Sequence, residues 1–159
     1  MQEIKRILVV SQLSEHCKKA IRFGISLCRN YKAELYVLHV IHDPFARWEL
    51  PMMGIHSVRE EYKGIQEKVK THLDSIINAE RGKGVDITEY VKVGKPLDEI
   101  LKVIEKDRIE LAIMTAHREG RLEHFLFCRD VEALIRKMPC SLMLVKEEFT
   151  ILSKNQPFL

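Results

Sequence analysis

The succession that decides the fold is IKRILVV at Ile4–Val10, SEHCKKAIRFGISLCRN at Ser14–Asn30 and ELYVLHVI at Glu34–Ile41. The first and third segments are short apolar runs, which is typical of strands buried on both faces of a parallel sheet. The middle segment repeats apolar or small residues at helical spacing, namely Cys17, Ala20, Ile21, Gly24 and Cys28. The stretch therefore predicts a β-α-β unit.

The same alternation continues to the end of the chain. Further strands are predicted at Asp86–Val93, Leu111–Thr115 and Ser141–Val145, and further helices at Ser57–Ala79, Leu97–Glu105 and Asp130–Met138. Strands that alternate with helices imply a mainly parallel sheet with helices on both faces. We expect a single-domain, Rossmann-like α/β fold, β-α-β-α-β-α-β-α-β, with an open parallel five-stranded sheet of order 3-2-1-4-5.

Local signals mark the predicted helix ends. Ser57 followed by Glu60 matches a capping box and predicts that the second helix starts there. Gly82 and Gly84 are expected to end that helix, because glycine tolerates left-handed backbone geometry. Pro96 suits the first turn of the third helix.

Composition narrows the class of protein. The 159 residues are 46% hydrophobic and 31% charged, with a net charge of +3. This balance argues against disorder and gives little attraction to nucleic acid or to an anionic membrane. The sequence has no apolar run near the ~18 residues of a membrane span and no signal-peptide pattern at its start, so a cytoplasmic location is expected.

Motifs for catalysis and metal binding are missing from the sequence. It contains no phosphate-binding G-x-x-x-x-G-K-[ST], no G-x-S-x-G and no H-E-x-x-H. The four cysteines form no Cys-x-x-Cys pair and are expected to be reduced thiols, mostly buried. His39 lies within an apolar run and is expected to be a histidine satisfied by hydrogen bonding rather than a base. No catalytic residue and no metal ligand is predicted.

Ligands of open α/β sheets bind outside the carboxyl ends of the strands, where the strand order reverses. Three segments follow predicted strands at that edge, residues 11–13, 42–44 and 116–120. Residues 42–56 form a predicted loop of about 15 residues, which is longer than a compact domain usually needs. That loop either serves the site or packs its own aromatic side chains, and the sequence favours neither.

These segments carry a family resemblance. SQLSEH at 11–16 stands where the universal stress protein family has V-D-G-S-E-H, and AELYVLHV at 33–40 matches its A-E-L-x-V-L-H-V. GKPLDEI at 94–100, ELAIMTAHR at 110–118 and MPCSLMLV at 138–145 match its later motifs in order. The chain resembles that family over residues 3–146, so we expect a universal stress protein domain at 1–146 and a C-terminal tail at 147–159.

The resemblance also exposes four departures. The family's ATP-binding members carry G-x-x-G, nine residues and then G-[ST], and these positions fall here on Thr115, Arg118, Cys128 and Arg129. Glycine there lets backbone amides approach phosphate oxygens, whereas these side chains would fill the space. The family's nucleotide-facing Asp is Gln12 here. The resemblance therefore implies a non-catalytic, homodimeric stress-response module without ATP or another cofactor, paired through the edge strand Ser141–Val145.

Two alternatives stay open at this stage. One is an adenine-nucleotide switch or slow ATPase, with the nucleotide between the first and fourth strands, among Gln12, Val40, Ile41, Thr115, His117, Arg118, Cys128 and Arg129. In that case Arg118 and Arg129 would bind an anion, whereas otherwise they are solvated loop residues paired with acidic neighbours. The other is an enzyme that uses His117 as acid or base, which fold alone cannot support. A protein partner is possible; nucleic acid and membrane are not expected.

Overall fold

The computed structural model describes residues 3–11, 15–42, 55–80, 84–116 and 135–146. The strands are β1 (Arg6–Ser11), β2 (Glu34–His42), β3 (Ile87–Gly94), β4 (Leu111–Ala116) and β5 (Ser141–Lys146). The helices with described bounds are α1 (Glu15–Tyr31), α2 (Ile55–Glu80) and α3 (Pro96–Lys106). All five predicted strands and these three predicted helices are confirmed, with ends that shift by one or two residues.

The five strands form one parallel sheet in the order β3-β2-β1-β4-β5, as predicted. The chain leaves β1 toward β2 and β3 on one side and then returns to place β4 and β5 on the other. The strand order therefore reverses between β1 and β4. Of the predicted fourth helix, Asp130–Met138, the structure describes residues 135–138, and 135–137 are helical.

Helices cover both faces of the sheet, and a separate apolar core lies under each layer. One core joins the side chains of Ile7 and Val9 in β1 to α1 and to the end of α2. The other joins Leu8 and Val10, which point the opposite way from the same strand, to α3. Successive side chains of a strand alternate between faces, so the near-continuous apolar runs of the sequence supply both cores.

Helix α1 lies unusually close to the sheet at Gly24. A Cβ atom at this residue would stand 2.8 Å from Val9 Cγ2, 3.0 Å from Leu35 Cδ1 and 3.8 Å from Ile113 Cδ1. These three side chains belong to β1, β2 and β4 and are fully buried. Glycine is therefore required at this position by space rather than by backbone conformation, because it sits inside a regular helix.

The starts of the second and third helices differ in how well the sequence predicted them. Helix α2 begins at Ile55, so Ser57 already has helical backbone geometry, and the predicted capping box at Ser57 is wrong because an N-cap residue must lie outside the helix. Helix α3 begins at Pro96 after Lys95, as predicted. Gly84 has a φ of +73°, which confirms the left-handed geometry expected there. Gly82 lies outside the described residues.

A carboxylate holds β1 and β4 together at the amino edge of the sheet. Glu110 Oε1 lies 2.6 Å from the Arg6 guanidinium, and Oε2 accepts the Arg6 backbone N–H at 2.7 Å. The Glu110 backbone N–H in turn donates to the Arg6 carbonyl at 3.1 Å. Burial by itself would raise the pKa of Glu110, but the hydrogen bonds from Arg6 outweigh it and hold this pKa below its usual value.

The close approach at Gly24 generates a stability prediction. Gly24→Ala should lower the free energy of unfolding by about 1–3 kcal/mol, because the added methyl group overpacks a core that has no room for it. Gly64→Ala is the matched control, since Gly64 is an exposed residue of α2 and nothing lies within 4 Å of its Cβ position. That change should raise the free energy of unfolding by roughly 0.5–1 kcal/mol. Urea denaturation measures both, and equal effects of the two substitutions would contradict the packing argument.

Candidate functional site at the carboxyl edge

The carboxyl ends of β1 and β4 meet where the strand order reverses. Parallel sheets bind ligands at such a point, because the connections that leave the two neighbouring strands diverge and open a crevice. Ser11 ends β1 and Ala116 ends β4. The residues that follow, 12–14 and 117–134, lie outside the described part of the chain. The described part of the site therefore consists of the strand ends themselves.

Three polar residues form one row across these strand ends. Ser11 is paired in register with His39 of the neighbouring β2. The β1–β4 register pairs Val9 with Ile113, and its continuation by two residues places Ser11 beside Thr115. Because side chains alternate along a strand, this polar row shares the α1 face with the apolar row of Val9 and Ile113 below it. Val91 and Val145 continue the row at its two ends.

His39 is hydrogen-bonded to the backbone of β1. Its Nδ1 lies 2.8 Å from the carbonyl oxygen of Ser11. A carbonyl can only accept, so Nδ1 carries the proton and a neutral ring leaves Nε2 as an acceptor. Burial lowers the pKa of His39, and the bond to the Ser11 carbonyl offsets part of this effect. The expectation that His39 is a hydrogen-bonded histidine within the strand is confirmed at Nδ1.

Thr115 occupies the same row, but unlike His39 its side chain makes no hydrogen bond in the described structure. The residue is 8% exposed, and its hydroxyl oxygen is buried with no hydrogen-bond partner in the described structure. Its strand neighbours Ile113 and Met114 belong to the two apolar cores. Thr115 is thus a buried polar group at the point where the apolar part of β4 ends.

The other predicted site residues divide into two groups. Val40 is buried in the core beneath α3, on the face opposite to Thr115, and Ile41 beside it is half-buried. These two residues and Thr115 all lie near the carboxyl edge, but Val40 and Thr115 lie on opposite sides of the sheet. The remaining predicted site residues lie outside the described residues; they are Gln12, His117, Arg118, Cys128 and Arg129.

A second concavity lies at the opposite, amino edge of the sheet. It measures about 530 Å³ and lies between the end of α1 and the start of β2 and β3. Its rim carries exposed side chains of both signs, Arg29 and Lys32 against Glu34 and Asp86. Cys28 lines it but is 1% exposed, and burial raises the pKa of its thiol to about 12. Such a thiol is unreactive, and the mixed charges define no ligand.

The described part of the chain carries neither a cluster of metal ligands nor a membrane-spanning helix. The described residues contain no group of three or more His, Cys, Asp or Glu side chains that could share a metal ion. Among the described helices, none has the length and apolar character needed to cross a bilayer. Cys28 and Cys140 are free thiols, and Cys17 and Cys128 are not described at the side-chain level.

The sheet order defines the class of protein, a doubly wound parallel α/β domain whose strand order reverses between β1 and β4. The sequence profile of the Universal stress protein family matches residues 3–146. The chain belongs to that family. The family assignment made from the sequence motifs is therefore confirmed.

Similar proteins include archaeal and plant members. Universal stress protein MJ0577 of Methanocaldococcus jannaschii is 24% identical over 156 residues, covering 91% of this chain and 96% of that protein. The solved structure of MJ0577 has a TM-score of 0.73 and covers 92% of this chain and 99% of its own.

Two other solved structures hold ligands. A universal stress protein in complex with cAMP is 14% identical, with a TM-score of 0.62 and coverage of 91% of this chain and 98% of its own. An Arabidopsis thaliana family member with AMP bound is 16% identical, with a TM-score of 0.57 and coverage of 91% and 93%. At 14% and 16% identity, the similarity to these two structures establishes the fold of this chain and nothing about its ligand.

Sequence reasoning missed the polar row. It placed Thr115 in the site and His39 in a strand, but it did not connect them through Ser11. The signal was available in the alternation, because Ser11, His39 and Thr115 each follow two inward apolar residues at spacing two. Recognising the polar row also requires the register between the strands, which the sequence does not specify.

The partly buried imidazole of His39 generates a pH prediction. Folding lowers the pKa of His39, so the unfolded chain binds a proton at this residue more readily than the folded chain does. The neutral His39 therefore contributes its full stability above about pH 6.5, and this contribution is lost as the pH falls toward the lowered pKa. His39→Gln keeps a donor for the Ser11 carbonyl but does not titrate. Urea denaturation should show a smaller loss of stability on acidification for His39→Gln than for the wild type. The same pH slope in both proteins would contradict the assignment.

Proposed function

We propose that this protein is a non-enzymatic, homodimeric regulatory module of the universal stress protein family that does not bind ATP. The observation that carries the proposal is Thr115. By the family resemblance, ATP-binding members have glycine at that position. Here the position carries a β-branched side chain, which is 8% exposed near the end of β4. Backbone amides approach phosphates most closely where no side chain intervenes, so a filled position disfavours a triphosphate.

Three further departures act in the same direction. Arg118, Cys128 and Arg129 stand at the other positions of the family's phosphate motif. Each replaces a glycine or a small hydroxyl residue with a larger side chain. The proposal rests on these four positions together and not on the fold, since one fold hosts many functions.

Restoring the motif tests the proposal. Isothermal titration of the wild type with ATP and magnesium at millimolar concentration should give no binding heat. A variant with Thr115→Gly, Arg118→Gly, Cys128→Gly and Arg129→Ser should gain measurable binding, because its loop amides can then reach the phosphates. A variant that changes Arg118 and Arg129 to lysine is the control for charge alone. Saturable ATP binding by the wild type would overturn the proposal.

The homodimer part of the proposal concerns β5. In the described sheet β5 pairs with β4 on one side, and its other edge has no neighbouring strand. Four consecutive apolar residues, 142–145, run along this edge, and Leu144 is 53% exposed. The opposite edge strand, β3, carries Glu89 and Lys92, and charges on an edge strand discourage pairing with another chain. The apolar β5 edge is therefore the favoured surface for a second copy.

Sedimentation tests this surface. The wild type should sediment as a dimer at tens of micromolar, and Leu144→Lys should shift it to a monomer, because a charge is then placed within the paired edge. Thr88→Lys puts the same charge on the exposed β3 edge and should leave the dimer intact. A monomeric wild type, or equal effects of both lysines, would count against pairing through β5.

A second candidate function is a switch that binds an adenine nucleotide smaller than ATP. The observation that favours it is the pair of neighbouring structures with cAMP and with AMP, whose fold this chain shares. A monophosphate needs less of the phosphate loop than a triphosphate does. Titration with AMP under the conditions used for ATP tests this candidate, and the absence of heat would remove it.

A further inference from the structure

Helix α2 extends well beyond the core that it helps to build. It has 26 residues, and the members that it contributes to the core beneath α1 are Leu73, Ile76 and Ile77. Among the side chains from Lys63 to His72, none is buried. The part of α2 that precedes Leu73, residues 55–72, is called the α2 overhang below. At 1.5 Å per residue it is about five turns, or ~27 Å, of helix.

The α2 overhang carries a heptad repeat of its own. Residues at alternating spacings of three and four fall on one side of a helix and form the contact positions of paired helices. In the overhang this spacing selects Ile55, Val58, Tyr62, Ile65, Val69 and His72. All but the last of them are apolar or aromatic. The overhang therefore has a contact stripe along its whole length, which ends where the buried part of α2 begins.

The described part of the domain does not cover this stripe. Ile65, near its centre, is 40% exposed, and Val69 is half-buried. Neither residue belongs to the two apolar cores. A helix obtains most of its stability from the packing of an amphipathic face, and Gly64 within the overhang weakens the helical preference further. The overhang therefore needs a contact beyond those that the described residues provide.

The charges beside the stripe favour a second copy of the same helix. In an antiparallel pair of helices, the residue that precedes the first contact residue of each heptad faces the equivalent residue of the other helix. In the overhang these flanking residues are Glu61 and Lys68. When Tyr62 lies opposite Ile65 of a second copy, the two overhangs coincide over their whole length. In that alignment Glu61 of each copy faces Lys68 of the other, so two pairs of opposite charge form.

Other alignments lack this complementarity. A shift by one heptad in one direction places Glu61 opposite Glu61 of the second copy, and a shift in the other direction places Lys68 opposite Lys68. In a parallel pair Glu61 would face Gln66, and Lys68 would face Leu73. Facing like charges are unfavourable, and a charge that faces an apolar or neutral residue gains nothing. The charge pattern therefore selects one antiparallel register.

We propose that the α2 overhang pairs in antiparallel orientation with the same segment of a second copy of this chain. The contact is separate from the proposed pairing through β5, because α2 packs against β3, at the opposite edge of the sheet. Dimers formed through β5 can therefore associate further through α2. The contact is short, so its affinity is lower than that of the β5 edge and falls in the upper micromolar range.

Charge reversal in the full chain tests the pairing. The Leu144→Lys variant, whose β5 edge is blocked, should show a monomer–dimer equilibrium by sedimentation in the upper micromolar range. Adding Lys68→Glu should weaken this association by about tenfold, because two attractive contacts become repulsive. Lys70→Glu is the matched control, since Lys70 is exposed and lies beside the stripe rather than at a facing position; it should change the association by less than about twofold. The same comparison with Leu144 unchanged keeps the result independent of β5 pairing.

A mixing experiment then tests the register. Glu61→Lys and Lys68→Glu should each associate weakly alone, and an equimolar mixture should recover the strength of the unmodified overhang, because every facing pair is again of opposite charge. Recovery also assigns the antiparallel orientation, since Glu61 and Lys68 do not face each other in a parallel pair. Recovery on mixing further shows that both variants are folded.

Three results would overturn the proposal. They are a Leu144→Lys variant that stays monomeric throughout the upper micromolar range, equal effects of Lys68→Glu and Lys70→Glu, and no recovery on mixing. A monomeric chain that binds a peptide of a different amphipathic helix would assign the stripe to another protein and would overturn pairing between copies as well. Each of these results leaves the test of the β5 edge unaffected.

Discussion

The contact of α1 with three strands at Gly24 is the constraint on which the rest of the structure depends. Helix and sheet approach so closely there that the side chains of Val9 and Leu35 occupy the space that a methyl group would need, and Ile113 lies in contact beside them. A helix held at this distance has little freedom to shift across the strands. Its first turn, at Glu15, is consequently fixed relative to the end of β1 at Ser11. The geometry of the carboxyl edge is thus set by packing about two and a half helical turns away from it.

The alternation of side chains then determines what that edge contains. On the α1 face, β1 presents Ile7, Val9 and Ser11 in succession, and β4 presents Leu111, Ile113 and Thr115. The first two members of each series belong to the core, and the third is polar. The change occurs in both strands at the same height, because their register is fixed by the pairing of Val9 with Ile113. A polar layer on top of an apolar one is therefore a property of the sheet and not of a single residue.

The sequence predicted the sheet order and the strand positions well, because both follow from buried apolar runs that tolerate few alternative interpretations. It predicted the start of α2 wrongly, since a Ser57–Glu60 pair has the same spacing inside a helix as at its first turn. The site was predicted only in part. Thr115 was identified through the family motif, but its unpaired hydroxyl and the bond from His39 to Ser11 depend on distances between strands. The Glu110–Arg6 contact was missed for the same reason, because its partners are 104 residues apart.

The two edges of the sheet use polar groups in opposite ways. At the amino edge, both carboxylate oxygens of Glu110 are bound by the backbone or the side chain of Arg6, so these polar atoms hold β1 against β4. Near the carboxyl edge the same two strands carry Ser11 and Thr115, and the Thr115 hydroxyl has no partner in the described structure. The amino edge of this strand pair therefore has a structural role, whereas the reversal of strand order at the carboxyl edge is the reason for proposing a binding role there.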